Sequence, residues 1–350
     1  MNSGVSTLCR NVGRFGGARY RLLAKRHLGN FETPRFIRSY AVPPTSPNNT
    51  SPLGADNTVE NNLQTETNRL DKTGTKFWKD VSLNESIEPG KTHIQLDSKS
   101  IRTPMGNSLA VSKSNQFLAC LLRKEWANLP DLSVKPYSLP LTSLVSRCID
   151  LEVSNAVNAA PDLVVKIGGD RHTINKDLLR YLDTDTLLVF SPRDEFEGAL
   201  REEQDTLYLP IIKAVEQFLT DNFSKKTVHL KILDADVHGI ASNMQSADCV
   251  ESATKYLNSL SPWNLALFEK TVLTTKSFIC GILLIENKTN PVHQKNLTYS
   301  LDEIERAATL EIIYQTDRWG EVEDTHDVNK HDIKRNLAAV AVAAYKKTNP

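Results

Sequence analysis

One stretch, Ser300 to Gly320, carries its own start and stop signals and therefore constrains the fold more than any other part of the sequence. Its first residues have the Ser-x-x-Glu spacing of a capping box, which makes Leu301 the first helical residue. Glycine is common just beyond a helix end, so the helix should stop at Gly320. One side of this helix is apolar and is formed by Leu301, Ile304, Ala308, Ile312 and Trp319. We therefore predict a helix that packs this side against a core.

Two polar residues, Glu311 and Gln315, fall within that apolar side. A carboxylate buried without a partner is strongly destabilising. Lys276 presents the same problem, because it shares a side of an earlier predicted helix with Leu265, Val272 and Leu283. We therefore predict that Lys276 and Glu311 face one another as a buried or half-buried pair. The alternative is that Lys276 extends its ammonium group to water.

The end of the helix and the residues after it form a pattern with a known counterpart. The sequence Glu311-x-x-Tyr314-Gln315, followed by Trp319-Gly320-x-x-Glu323-x-x-His326-Asp327, resembles the C-terminal signature of the Atp12 family. Further matches occur at Ile94-x-Leu96-Asp97, at Leu139-Pro140-Leu141-Thr142 and at Asp183-Thr184-Asp185-Thr186, so the resemblance extends over about residues 77–347. It implies a chaperone of the mitochondrial matrix that binds the unassembled α subunit of the F1 sector of ATP synthase and shields its apolar interface. It implies no cofactor and no enzymatic activity.

The turn after Trp319 is the predicted partner-binding site. It carries Glu321, Glu323 and Asp327, a density of negative charge that repels itself unless cations meet it. Trp319 is the best interface candidate of the four tryptophans, since tryptophan is enriched at interface hot spots. The alternative is that Glu323 and Asp327 stabilise the start of the last helix, where carboxylates are favoured.

The charge distribution indicates a targeting segment. Residues 1–40 contain seven arginines and one lysine against one acid, Glu32, whereas the rest of the chain has 34 basic and 41 acidic residues. This composition predicts a mitochondrial transit peptide over residues 1–40. Arg38-Ser39-Tyr40 before Ala41 resembles a processing site. The mildly acidic remainder argues against a nucleic-acid partner.

The rest of the chain divides into three predicted segments. Residues 41–73 are polar and proline-rich and predict a disordered linker. Residues 74–138 alternate short strands with turns and contain one helix, whereas residues 139–350 read as mainly helical. The expected fold class is therefore α+β, with a small β-rich unit followed by a larger helical domain. The most apolar helix is predicted from Pro262 to about Glu286, and its uncharged run Ser277–Ile285 is too short for stable membrane insertion.

The sequence offers little catalytic chemistry. It contains neither a GxxxxGK[ST] phosphate loop nor a GxGxxG motif, so no small-molecule substrate is indicated. Asp183 and Asp185 could form an acid/base pair, although Asp and Thr in such a segment more often bond to their own backbone. Glu323 and His326 could suggest a metal site, but a second Glu-x-x-His is missing. The alternative function is therefore an uncharacterised matrix enzyme that uses Asp183/Asp185 or Glu323/His326, and we predict no metal.

Overall fold

The computed structural model describes residues 76–129, 138–156, 159, 161–239, 241–289, 297–320 and 326–345, with the side chains of 326–330 excepted. The predicted transit peptide, the linker and the processing site at Ala41 lie outside the described residues. The described part is α+β, as the sequence predicts: a small antiparallel sheet comes first and helices follow. The boundary at 138/139 stays a prediction.

The sheet is built around one strand. Strand β2 (Lys91–Leu96) pairs with β1 (Val81–Asn84) on one edge, and with β3 (Lys99–Ser100) and β4 (Ala110–Ser112) on the other. Helix α1 (Gln116–Ala127) covers β1 and β2. Its cap is Asn115, whose side chain accepts a hydrogen bond from the Leu118 amide.

The helical part begins with α2 (Pro140–Ser154), which has no side-chain cap of its own at Leu139. The Glu125 carboxylate of α1 accepts hydrogen bonds from the amides of Leu141 and Thr142, at 2.9 and 2.8 Å. The Trp126 indole also donates to Thr142 Oγ1 at 3.0 Å. The first turn of α2 is therefore capped from the β-rich unit.

Nine further α-helices and two very short strands follow in the described residues. Helices α3 (Pro161–Lys166) and α4 (Arg171–Asp183) precede β5 (Val189–Phe190), which pairs in parallel with β6 (Leu233–Asp234). Between these strands runs the long helix α5 (Ala199–Phe223). Residues 228–232, just before β6, form no strand. The remaining helices are α6 (Ala235–His238), α7 (Ala247–Ser259), α8 (Pro262–Thr275), α9 (Phe278–Thr289), α10 (Leu301–Trp319) and α11 (His326–Ala344).

The centre of the helical part is the pair α8 and α9, and α2 and α11 also pack against α8. The single helix predicted from Pro262 to Glu286 is wrong, since it breaks at Lys276, whose φ of 57° is left-handed. The Ser277 hydroxyl accepts a hydrogen bond from the Cys280 amide at 3.0 Å and so starts a new helix. Helix α9 lies close to α8 at Gly281, where an added Cβ would lie 2.6 Å from the Phe268 ring.

Among the described helices, none combines the length and the apolar composition needed to cross a membrane.

Candidate partner-binding site

Trp319 lies at the end of α10, and its side chain is 65% exposed. Its ring packs at 5.7 Å against that of Phe196, which is buried, and the Arg318 guanidinium lies 5.2 Å from the same ring. Both ends of α10 are as predicted, with the capping box at Ser300 and Gly320 at the C-terminal cap. We call Phe196, Arg318 and Trp319 the Trp319 surface.

The support beneath this surface is an unusual turn. Phe196 and Glu197 have φ of 50° and 54°, and Gly198 follows at 88°, so three consecutive residues are left-handed. Such a conformation is costly for a residue with a side chain and needs contacts to hold it. Tyr314 supplies these contacts: its ring packs at 5.7 Å against Phe196, and its hydroxyl lies 2.8 Å from Glu203 Oε2. Trp319 therefore rests on a fixed platform.

A cavity of about 590 Å³ lies one turn before Trp319 on α10. It is enclosed by the end of α8, by α10, by α11 and by residues near the start of α5. Its lining mixes charges of both signs with apolar groups and includes Lys270, Leu273, Lys276, Glu311, Ile312, Gln315 and Asp332. Leu273 is exposed, so the mouth of the cavity has an apolar edge. The walls also lower the pKa of Lys270 through loss of hydration.

Lys276 and Glu311 both line this cavity, but the structure differs from the predicted buried pair. Both side chains are exposed, and no ion pair joins them among the described residues. Lys276 Nζ lies 5.9 Å from the Tyr181 ring centre, whereas Glu311 accepts a hydrogen bond from Gln315 at 2.8 Å. Loss of hydration raises the pKa of Glu311, and the charge of Glu195 raises it further.

The reason for this difference is the rotation of α10. The apolar side predicted from the sequence contained Ala308 and Ile312, but besides Ile304 the buried residues of α10 are Glu305, Ala307, Thr309 and Leu310. Helix α10 packs against α5, α8, α9 and α11, so its buried face is set by several neighbours. Glu311 therefore lies on the cavity edge instead of in the core.

Two residues of the acidic turn, Glu321 and Glu323, lie outside the described residues. The backbone puts His326 and Asp327 in the first turn of α11, but their side chains are not described. Among the described side chains, no group of three or more His, Cys, Asp or Glu could hold a metal ion. The proposed roles of Glu321, Glu323 and Asp327 therefore stay predictions.

Asp183 and Asp185 do not form an acid/base pair. Asp183 Oδ1 accepts from the Gln245 amide at 2.8 Å. Asp185 is fully buried, and its carboxylate accepts from the amides of Leu187 and Ile279, each at 2.9 Å. Burial raises the pKa of Asp185 to about 6, although the hydrogen bonds of Ile279, Ser277 and Leu187 act against this shift. Asp185 makes the local backbone bond expected of Asp in such a segment, to Leu187, but Asp183 and the second oxygen of Asp185 hold distant backbone instead.

The sequence analysis missed Phe196, Glu203 and the cavity. Phe196 carries no sequence signal, because left-handed turns are normally marked by Gly or Asn and two of these three residues are neither. Glu203 joins two distant helices by accepting from Tyr314 and by pairing with Arg306. Only the three-dimensional arrangement identifies such long-range contacts.

Comparison with known proteins agrees with this description. Residues 75–216 match the family model described as ATP12 chaperone protein. The chain is 56% identical to mitochondrial Protein ATP12 of Saccharomyces cerevisiae, over 85% of this chain and 92% of that protein. It is 35% identical to mitochondrial Protein atp12 of Schizosaccharomyces pombe, over 76% of this chain and 81% of that protein.

A solved structure supports the fold alone. The crystal structure of Atp12 from Paracoccus denitrificans superimposes with a TM-score of 0.51 at 19% identity, and the match covers 78% of this chain and 97% of that chain. Together with the two fungal relatives, the match of the family model shows that the chain belongs to the ATP12 family of chaperone proteins.

Proposed function

We propose that this chain is a mitochondrial matrix chaperone for assembly of the F1 sector of ATP synthase and that its partner is the unassembled α subunit. Membership of the ATP12 chaperone family and the naming of both fungal relatives as mitochondrial support this proposal. The basic composition of residues 1–40 supports import into mitochondria.

The observation that carries the proposed contact is the exposure of Trp319 on a fixed platform. A subunit that has not yet met its neighbour exposes an apolar interface that aggregates unless it is covered. A rigid, exposed tryptophan can contribute strongly to such a cover, because little conformational entropy is lost when it binds. The exposed Leu273 at the mouth of the neighbouring cavity extends the apolar area.

The acidic residues after Trp319 would add specificity. We propose that Glu321, Glu323 and Asp327 belong to the same contact and meet basic residues of the α subunit near its phosphate site. Such complementarity raises the association rate and selects the partner more than it adds affinity. If these residues only stabilise the start of α11, their loss should lower the melting temperature instead.

No enzymatic activity is part of this proposal, and no cofactor is needed for it. The enzyme alternative requires an accessible acid/base pair, whereas Asp185 is buried and hydrogen-bonded to two backbone amides. The Glu323/His326 version of that alternative predicts a rise in melting temperature with added divalent metal. A thermal-shift series with metals and nucleotides therefore separates it from the chaperone function.

The first test measures capture of purified F1 α subunit by the full chain. Trp319→Ala should weaken capture by tenfold or more, the range of a hot-spot truncation. Met244→Ala is the matched control, because Met244 is an equally exposed apolar residue outside the Trp319 surface. Capture that is weakened equally by both variants, or by neither, would contradict this contact.

The second test reverses one charge. Glu323→Lys should weaken capture more at low salt than at high salt, because screening reduces the interaction. Asp177→Lys, an exposed position on α4, is the control and should have little effect. If Glu323→Lys melts early and still captures the α subunit when folded, the acidic segment is structural and the contact lies elsewhere.

A further inference from the structure

Helix α1 has one apolar face that the sheet covers and, beside it, an outer stripe of Phe117 and Leu121 that is only partly covered, since the half-buried Leu121 packs against the core. Leu118 and Leu122 face the sheet and are fully buried, with Trp126 beside them. On the outer face, the Phe117 side chain is 57% exposed, and Leu121 lies one turn further along the same face. An amphipathic helix of a globular domain normally has one apolar stripe, so the second stripe needs a separate explanation.

The outer stripe forms one wall of a groove of about 550 Å³. The opposite wall is the segment from Lys76 to Val81, which enters β1. Trp78 lines the groove and is itself buried, with its ring 5.7 Å from that of Trp126. The neighbouring Phe77 is 60% exposed and packs edge-on against Trp78 at 4.9 Å. The exposed Phe117 ring thus borders a floor, Trp78, that the core holds in place, and the exposed Phe77 ring packs beside that floor.

The rim of this groove is basic. Lys76, Lys79, Arg123 and Lys124 all line it, and Asp80 is the one acidic residue among the lining residues. None of these four cations forms an ion pair with a carboxylate in the described part of the chain. Lys76 instead donates to the Ala127 carbonyl at 3.3 Å. This concentration of positive charge contrasts with the net acidic character of the chain beyond residue 40.

We propose that this groove is a docking site for an acidic amphipathic helix of a protein partner. The apolar side of such a helix would cover Phe117, Leu121 and Phe77, and its carboxylates would meet Lys79 and Arg123. A helix has a diameter of about 10 Å and can pack its ridges against α1, as helices do in groove-type recognition. The site lies on the β-rich unit, uses none of the Trp319 surface and does not depend on the proposed function.

A membrane surface is the less suitable occupant. Membrane-binding helices present a broad apolar face with cations beside it, and that face sinks into the headgroup region. Here the apolar area is a groove whose floor, Trp78, lies between two walls. A concave site of this kind fits the side of a rod-shaped helix better than it fits a flat membrane surface.

The test uses a labelled synthetic probe and the full chain. The probe is a helical peptide of leucine and glutamate, with leucine confined to one side, and its binding is followed by fluorescence anisotropy. Wild type should bind it, and added salt should weaken binding because the rim is charged. Phe117→Ser and Arg123→Glu should each weaken binding by tenfold or more.

Matched controls and a second probe make the result decisive. Val237→Ser and Lys225→Glu change exposed residues elsewhere and should bind the peptide within twofold of wild type. Capture of the F1 α subunit should be unchanged in Phe117→Ser, which separates this site from the Trp319 surface. If the groove variants bind the peptide as tightly as the controls, the proposal is overturned. The proposal is also overturned if the groove variants bind phosphatidylglycerol vesicles more weakly than wild type but bind the peptide as tightly as wild type does.

Discussion

Asp185 Oδ2 lies 2.9 Å from the backbone nitrogen of Ile279, although 94 residues separate the two in sequence. The other carboxylate oxygen of Asp185 accepts from the Leu187 amide, so one buried side chain joins the segment after α4 to the first turn of α9. This contact explains how α9 can start inside an apolar run. The amide of Ile279 has no partner within its own helix, and Asp185 supplies one.

Removal of this carboxylate should destabilise the fold. Asp185→Ala would leave the buried amides of Leu187 and Ile279 without acceptors, at a cost of about 1–3 kcal/mol for each. We therefore expect the free energy of unfolding to fall by about 2–5 kcal/mol in urea titrations at pH 7. Asp183→Ala is the control, since Asp183 is only half-buried and holds a single amide. Equal effects at the two positions would contradict this assignment.

The same residue predicts a pH dependence. The pKa of Asp185 is about 6 in the fold against an ordinary value of 3.8, so the folded state binds more protons than the unfolded state between these values. Its contribution to the free energy of unfolding therefore falls as pH rises from about 4 to 6 and is constant above. The wild type should lose up to about 3 kcal/mol relative to Asp185→Asn across this range. A difference between the two proteins that does not change with pH would refute the shift.

Close packing of α8 and α9 makes Gly281 sensitive to one added methyl group. A Cβ at this position would lie 2.6 Å from Phe268, whose ring is fully buried and cannot move aside easily. Gly281→Ala should lower the free energy of unfolding by about 1–3 kcal/mol despite the better helix propensity of alanine. Phe268→Leu removes the clashing ring atoms, so the double variant should lose less than the sum of the two single variants. A Gly281→Ala protein that melts at or above the wild-type temperature would contradict this packing.

Lys276 and Glu311 should be energetically independent in the free chain. Each is exposed and contacts another residue, Tyr181 for Lys276 and Gln315 for Glu311, and no ion pair joins the two among the described residues. A double-mutant cycle of Lys276→Met and Glu311→Leu should give a coupling below about 0.5 kcal/mol, the range of weak exposed pairs. A coupling energy of about 3 kcal/mol would contradict this independence and support the buried pair predicted from the sequence.

Processing should remove the basic leader. Because Arg38 stands three residues before Ala41, we expect N-terminal sequencing of the protein from mitochondria to begin at or close to Ala41. Arg38→Ala should shift or slow this cleavage, whereas Arg35→Ala should not. Recovery of a chain that still carries residues 1–40 would count against the matrix location.

The sequence predicts the ends of α10 correctly because both signals are local. Ser300 and Glu303 form the capping box with their own backbone, and Gly320 ends the helix. It does not predict which side of α10 is buried, because that depends on the helices around it. The break at Lys276 was missed for a related reason, since one of the groups that hold it is the distant Asp185.

The candidate partner-binding site shows the same difference between features set by local sequence and features set by distant residues. The sequence selects Trp319 as the interface candidate but also puts it on the side of α10 expected to pack against a core, whereas the structure leaves it 65% exposed at the helix end. The turn that supports Trp319 could not be predicted from the sequence. The left-handed conformation of Phe196 in that turn goes with its contact to Tyr314 rather than with a residue preference. On α1, likewise, helical spacing alone does not distinguish the exposed Phe117 from the buried Leu118.

The cap that Glu125 provides for α2 has a consequence for the order in which the chain acquires its structure. A polypeptide emerges from the ribosome N-terminus first, so the β-rich unit is available before the first helix of the helical part is complete. Helix α2 lacks a side-chain cap at Leu139 and takes its acceptor from α1. The two parts are therefore coupled through one side chain: loss of the Glu125 carboxylate would remove the acceptor of the Leu141 and Thr142 amides.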